Sequence, residues 1–169
     1  GVIIDIIVDR GLRLEELLDR GELDLALVQV SATDLRQDDT VLWQDDQVWI
    51  CAPDWTFDEG TVPLVTFGKD GFYRPLAEQI LSDAGIGYRA AFSGPSSASL
   101  LAAVEAGFGV ALMSSRSVSG RVVTWPRGES LPDLPVVQQV ARASPGPRTE
   151  IVNALIADIA NELGDFAEP

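Results

Sequence analysis

The stretch that most constrains this chain is Leu100 to Met113, LLAAVEAGFGVALM. Leu100, Leu101 and Val104 recur at helical spacing, and Ala102, Ala103 and Ala106 keep that helix slim enough to lie close on a sheet. Gly107 follows the last apolar turn, where a residue of positive φ ends a helix at little cost. Phe108 and Gly109 complete the turn, and Val110-Ala111-Leu112-Met113 is a short apolar run flanked by serine. A helix feeding directly into a buried strand is half of a βαβ unit, the building block of parallel sheets. The fold class that follows is α/β. No function follows from it.

The rest of the chain repeats this grammar. Val2–Val8 is rich in β-branched residues and predicts a strand. A short helix lies between Gly11 and Gly21, with Leu14, Leu17 and Leu18 on one face, and Glu22–Val28 is the next strand. Val41–Ala52 reads as one long strand ending at Pro53. Pro63–Phe67 is a strand leading into the loop Gly68-Lys69-Asp70-Gly71, and Pro75 sits in the first turn of a helix that ends at Gly85. Tyr88–Phe92, Arg121–Trp125 and Val136–Ala141 are further strands. The last helix carries Ile151, Leu155, Ile159 and Leu163 at i+4 spacing, beside Val152, Ile156 and Ala160.

Composition removes several function classes. The 169 residues hold 12 basic against 26 acidic side chains, a net charge of −14 that repels phosphate backbones and anionic lipid. There is no histidine and one cysteine, Cys51, which removes Ser-His and Cys-His nucleophile systems, the usual zinc sites and any intrachain disulfide. No metal and no cofactor is expected. The acidic pairs Asp38-Asp39, Asp45-Asp46 and Asp58-Glu59 read as solvated loops. No apolar run approaches the ~20 residues that span a bilayer, and no segment resembles a signal peptide.

Several motifs resemble one family in its own order. Gly21-Glu22-Leu23-Asp24-Leu25-Ala26-Leu27 resembles the "GELDLAL" strand of LysR-type transcriptional regulators. Pro63-Leu64-Val65, Ala84-Gly85-Ile86, Ala103–Met113 (similar to "AAVxAGxGVALL") and Leu131-Pro132 with Pro135-Val136 follow at matching spacing. The resemblance covers nearly the whole chain. It implies a two-lobed, periplasmic-binding-protein-like (type 2) α/β fold with two crossover strands, at Val48–Ala52 and Val137–Ala141. Lobe I would comprise 1–50 and 140–169, lobe II 51–139.

The resemblance also implies a function: an effector-sensing, dimerising domain of a bacterial LysR-type regulator, cytoplasmic and without catalytic activity. It would act as a homodimer or tetramer and meet operator DNA only through an N-terminal winged helix-turn-helix, which nothing here resembles. The strand and helix that precede the Val2–Val8 strand in the family are likewise unmatched. In the family that strand lies between those matching Val2–Val8 and Glu22–Val28, so these two are expected either to close up or to receive a strand from another chain, because buried strand edges are avoided. The Ile3/Ile4/Ile6/Ile7 run is apolar on both faces, which fits self-association or burial under the chain's own helices. A proline common after the "GVALL" strand is replaced by Ser114, read as a neutral change. The alternatives are an extracytoplasmic solute-binding protein of a transporter and an enzyme of the prephenate dehydratase-like type; no catalytic constellation supports the latter.

Ligands of open α/β folds lie beyond the carboxyl ends of the strands. The positions expected there are Arg10, Gln29, Val30 and Ser31 in the first lobe, and Thr66, Phe67, Gly68, Pro95, Ser96 and Ser97 in the second. Pro95-Ser96-Ser97 opens a helix whose free N–H groups suit an anion or carbonyl, although Ser96 also suits a plain helix cap. Gln29 falls where some aromatic-acid-sensing relatives carry an arginine, and a neutral amide there makes a strongly acidic effector a poorer fit. The expected ligand is a small polar or carboxylate metabolite between Gln29 and Ser97.

Overall fold

In the computed structural model residues 3–57, 60–69, 71–146 and 149–164 are described. Strands β1 (Leu25–Ser31), β2 (Thr40–Asp45), β3 (Gln47–Cys51), β4 (Val62–Phe67), β5 (Tyr88–Gly94), β6 (Ala111–Ser114), β7 (Val123–Thr124) and β8 (Val137–Ala143) alternate with helices α1 (Gly11–Asp19), α2 (Tyr73–Asp83), α3 (Ser97–Glu105) and α4 (Thr149–Gly164).

The strands fall into two groups. In the first, β8 lies between β1 and β2 and pairs antiparallel with both, Val28 opposite Val140 and Asp45 opposite Val137. Helix α1 buries Leu17 and Leu18, and Leu18 packs with Ala26, Val28, Val30 and Val140. In a second cluster α4 packs Val152 and Ile156 with Leu42 and Ala141. Period-2 alternation in β1 and β8 thus separates the two helix-facing sets. Ile151 is exposed, so the buried face of α4 is centred on Val152 and Ile156.

The second group contains β4 and β5, parallel with α2 as their crossover, and the sheet β6-β3-β7. A parallel bridge between Leu64 and Val110 joins these two sheets, with Val65 N–H on the Val110 carbonyl at 2.8 Å and Val110 N–H on the Pro63 carbonyl at 3.0 Å. That approach depends on Gly109: at φ 151° it has the glycine conformation, and an added Cβ would lie 2.0 Å from the Pro63 oxygen. Helix α3 ends as its sequence predicts, Gly107 adopting φ 79° after the last turn.

Two expectations fail. Ile3–Val8 forms no strand: the segment is irregular, and Ile3, Ile6 and Val8 are more than four-fifths exposed. It lies neither against Leu25–Ser31 nor under the chain's own helices, so the two segments do not close up; β1 pairs only with β8 among the described residues. A β-branched run with no neighbour to hydrogen-bond has nothing to hold it extended in a sheet. Val41–Ala52 is not one strand but two, β2 and β3, which belong to different groups and part at Asp46. The predicted Arg121–Trp125 strand shortens to Val123–Thr124, whose pairing with β3 covers only Ile50 and Cys51.

Candidate functional site

The two groups meet where β1, β4 and β5 end. Phe67 stands opposite Gly94 in the parallel register, so the chain leaving β4 at Gly68 lies beside Pro95, Ser96 and Ser97 at the start of α3. Tyr73, in the first turn of α2, stacks on Phe67 with ring centroids 5.5 Å apart. The Gln29 amide, from β1 in the other group, donates to the Tyr73 hydroxyl at 3.2 Å. Burial holds the Tyr73 phenol above its ordinary range, Asp45's charge adds to that, and hydrogen bonds from Gln29 and Gln47 oppose it. The phenol is therefore neutral at physiological pH.

A second polar cluster stands at the break between β2 and β3. Asp45 is buried; the Ser114 hydroxyl donates to its carboxylate at 2.8 Å, and Arg116 Nε lies 3.5 Å from the same oxygen. Ser114 Oγ in turn accepts the Arg116 N–H at 3.2 Å. Ser114 in place of the family's proline is therefore not neutral: it ties β6 to the end of β2. Asp45 is likewise no solvated loop residue, and neither is Asp39, whose carboxylate takes Nε and Nη2 of the Arg142 guanidinium side-on at 2.6 and 2.7 Å. Asp58-Glu59 lies outside the described residues.

The expected site residues divide into three sets. Gln29 and Phe67 converge on Tyr73, and Thr66, Phe67, Gly68 and Pro95–Ser97 share the adjacent ends of β4 and β5. Thr66 is buried, opposite Ser93. Val30 and Ser31 serve their own sheet: Val30 is in the core beside Leu18, and the Ser31 hydroxyl meets Thr33 Oγ1 at 3.0 Å. Arg10 stands just ahead of α1, its carbonyl accepting the Leu14 N–H. Ser96 caps α3 in a reciprocal capping box with Ser99, each side chain meeting the other's N–H at 3.3 Å. Sequence reasoning missed Tyr73, Asp45, Gln47 and Ser114. The one available signal was Phe72-Tyr73 after the glycine-bounded loop 68–71, where a strand-to-helix turn carries aromatics.

Among the described residues no group of three or more His, Cys, Asp or Glu could hold a metal ion. The site offers neutral amide, phenol and hydroxyl groups with one helix N-terminus, a set suited to binding polar molecules.

The sequence profile of the LysR substrate binding domain matches residues 1–163. The chain belongs to the LysR substrate binding domain family. It is similar to the HTH-type transcriptional regulator PecT of Dickeya dadantii (strain 3937), 27% identical over 157 residues, which are 92% of this chain and 49% of PecT. This LysR-family chain thus spans about half the length of that relative. Among solved structures, the apo-form regulatory domain of HypT from Salmonella typhimurium superposes with a TM-score of 0.73 at 16% identity, covering 92% of this chain and 81% of that one. The Synechocystis PCC6803 CcmR regulatory domain, in complex with 2-PG, superposes with a TM-score of 0.67 at 11% identity, covering 90% and 79%. These likenesses establish the α/β, two-lobed, type 2 periplasmic-binding-protein-like fold expected from the motif order.

Proposed function

We propose that the chain is the effector-sensing and dimerising part of a bacterial LysR-type transcriptional regulator, taking a small polar or carboxylate metabolite between its lobes. The observation that carries the reading is the Gln29–Tyr73 hydrogen bond, which links β1 to α2 across the junction where strand ends and a helix N-terminus converge. A ligand entering there exchanges this bond for its own contacts with Gln29, Tyr73, Phe67 and the first N–H groups of α3. Because it binds one lobe geometry better than another, it shifts the population of that geometry. The lobes in this proposal are 1–50 with 140–169, and 51–139. The pairing of β3 with β6 and of β8 with β1 supports two lobes but moves the crossings from Val48–Ala52 and Val137–Ala141 to Asp46 and Val136, since β3 pairs wholly in the second group and β8 wholly in the first.

Operator DNA is contacted, in this reading, by a separate N-terminal head, and the acidic balance of the chain, −14, agrees with a DNA-reading part lying elsewhere. Homodimer or tetramer assembly and a cytoplasmic location complete the proposal. Among the described residues no helix is long and apolar enough to cross a membrane. The family match favours this over a transporter's solute-binding protein. Candidate hydroxy and keto acids are tested by calorimetry against the chain and its Ser97→Pro variant, which removes an N–H from the first turn of α3. Loss of binding in the variant is expected; wild-type affinity there, or ligand density outside the junction, refutes the assignment.

A further inference from the structure

The crossing from β2 to β3 is held by a strap from the second strand group. Asp45, the last residue of β2, stands opposite Val137 in the first group, and Gln47, the first of β3, stands opposite Ser114 in the second. Only Asp46 lies between them, so the chain changes sheets within one residue. The run Ser114-Ser115-Arg116 closes over that point. Ser114 Oγ donates to Asp45 Oδ1 at 2.8 Å, and Arg116 Nε lies 3.5 Å from the same oxygen. The Ser115 N–H donates to the Asp46 carbonyl at 2.8 Å, and the Arg116 N–H returns to Ser114 Oγ at 3.2 Å. Val136 and Val137, at the other crossing, have no polar side chain to make such a lock.

Hinges are a few residues at the ends of elements that absorb a change of angle. Here those residues are held by side chains as well as by sheet pairing. The ion pair is uneven: Asp45 is buried while Arg116 is exposed. Such a pair is releasable, because salt screens its exposed half. The same end of β2 reaches the effector junction. Gln47 Nε2 donates to the Asp45 carbonyl at 3.2 Å, and Gln47 and Asp45 both act on the Tyr73 hydroxyl, one through its amide and the other through its charge. Gln29, Tyr73, Gln47, Asp45 and Ser114 therefore form one continuous series from the junction to the hinge. Continuity alone is not coupling, which needs an element with two arrangements that both ends bias. Gln47 Oε1 is buried without a donor, so the strapped angle is not one that satisfies every group at the hinge.

We propose that the Ser114–Arg116 strap is a releasable hinge lock: it fixes the angle between the strand groups in the free chain, and breaking the Gln29–Tyr73 bond loosens it through Gln47 and Asp45. This inference rests on the effector reading above, in which the ligand breaks that bond, and it supplies the regulation of that site.

Hydrogen exchange at the Ser115 amide, whose N–H lies in the strap, reports opening directly, with the amides of β1 and β8 as controls. After correction for intrinsic rates, Ser114→Ala and Arg116→Gln are each expected to speed Ser115 exchange about fivefold and leave the controls unchanged. Arg116→Lys, which keeps the charge, is expected to stay within about twofold of wild type. Sodium chloride at roughly 0.5 M is expected to bring wild type to the Arg116→Gln rate and to leave that variant unmoved. Gln29→Leu stands in for the effector, breaking the bond to Tyr73 without touching the strap, and is expected to speed Ser115 exchange about threefold. Unchanged Ser115 exchange in both strap variants overturns the lock. Equal acceleration of the control amides overturns it too, showing a merely structural contact, and an unmoved Ser115 amide in Gln29→Leu overturns the coupling. No effector enters these measurements, so a failure of metabolites to bind refutes the effector reading and leaves the exchange results standing.

Discussion

At the scale of single residues, two contacts fix geometry that the surrounding sequence does not advertise. Gly109 lets Val110 reach Pro63 and Leu64, and any side chain there collides with backbone rather than with a movable side chain. Gly109→Ala is expected to lose on the order of 2–4 kcal/mol, backbone strain and overpacking together. Gly120→Ala, with nothing within 4 Å of the added Cβ, should stay within about 0.5 kcal/mol. Urea unfolding of the pair checks both. Arg142 is the other case: 2% exposed on β8, it is bound by Asp39 side-on and by Glu15 from α1. Arg142→Met strands two carboxylates and should cost about 3–5 kcal/mol. Burial acts to raise the Asp39 pKa, but the Arg142 and Arg36 hydrogen bonds and charges outweigh it and hold the value below 3.8. A depressed carboxyl contributes stability that is present above its unfolded value and lost as pH falls through the folded one. Wild type should therefore lose this increment below about pH 3.8, and its advantage over Asp39→Asn, measured by urea unfolding at stepped pH, should shrink across that window.

At the scale of elements, α3 shows how a predicted ligand contact and a structural role share one residue. Ser96 Oγ accepts the Ser99 N–H while Ser99 Oγ accepts the Ser96 N–H, so Ser96→Ala removes the first half of the capping box and leaves the second. A loss of about 1 kcal/mol is expected in thermal or urea unfolding, and Ser96→Asp, which keeps the acceptor, should restore most of it. Helices and parallel-sheet strands were legible in the sequence because their signals are local: Gly107 and Gly85 end helices at positive φ, and Pro75 falls in the first turn of α2. Sheet membership was not. Val41–Ala52 alternates only loosely around Gln44-Asp45-Asp46-Gln47, and what divides it is pairing with distant strands, β2 on β8 and β3 on β6. Val2–Val8 carries strand propensity without a neighbour, and propensity without pairing does not make a strand.

At the scale of the molecule, the strand ends foretold which segments converge, since ligands of open α/β folds lie there. Tyr73 escaped because it is a helix residue, placed at the junction only by the docking of α2 on β4. It is also one of the places where side chains join the two groups of strands, the Ser114–Asp45 hydrogen bond being another. The phenol is neutral, its pKa raised by burial, so it accepts the Gln29 amide throughout the physiological range. Tyr73→Phe keeps the ring that stacks on Phe67 and removes only the hydroxyl. The expected stability loss is therefore small, about 0.5–1.5 kcal/mol, the net contribution of one hydrogen bond. Gln29→Leu should cost a similar amount, and the double variant little more, because each single change already breaks the shared bond. The larger effect is expected in shape: freed of the bond, the two strand groups separate, and small-angle scattering should give an increased radius of gyration for all three variants alike. Independent, additive losses in the double-mutant cycle would show that the Gln29–Tyr73 contact carries no coupling. An unchanged scattering curve would show that other contacts hold the junction closed.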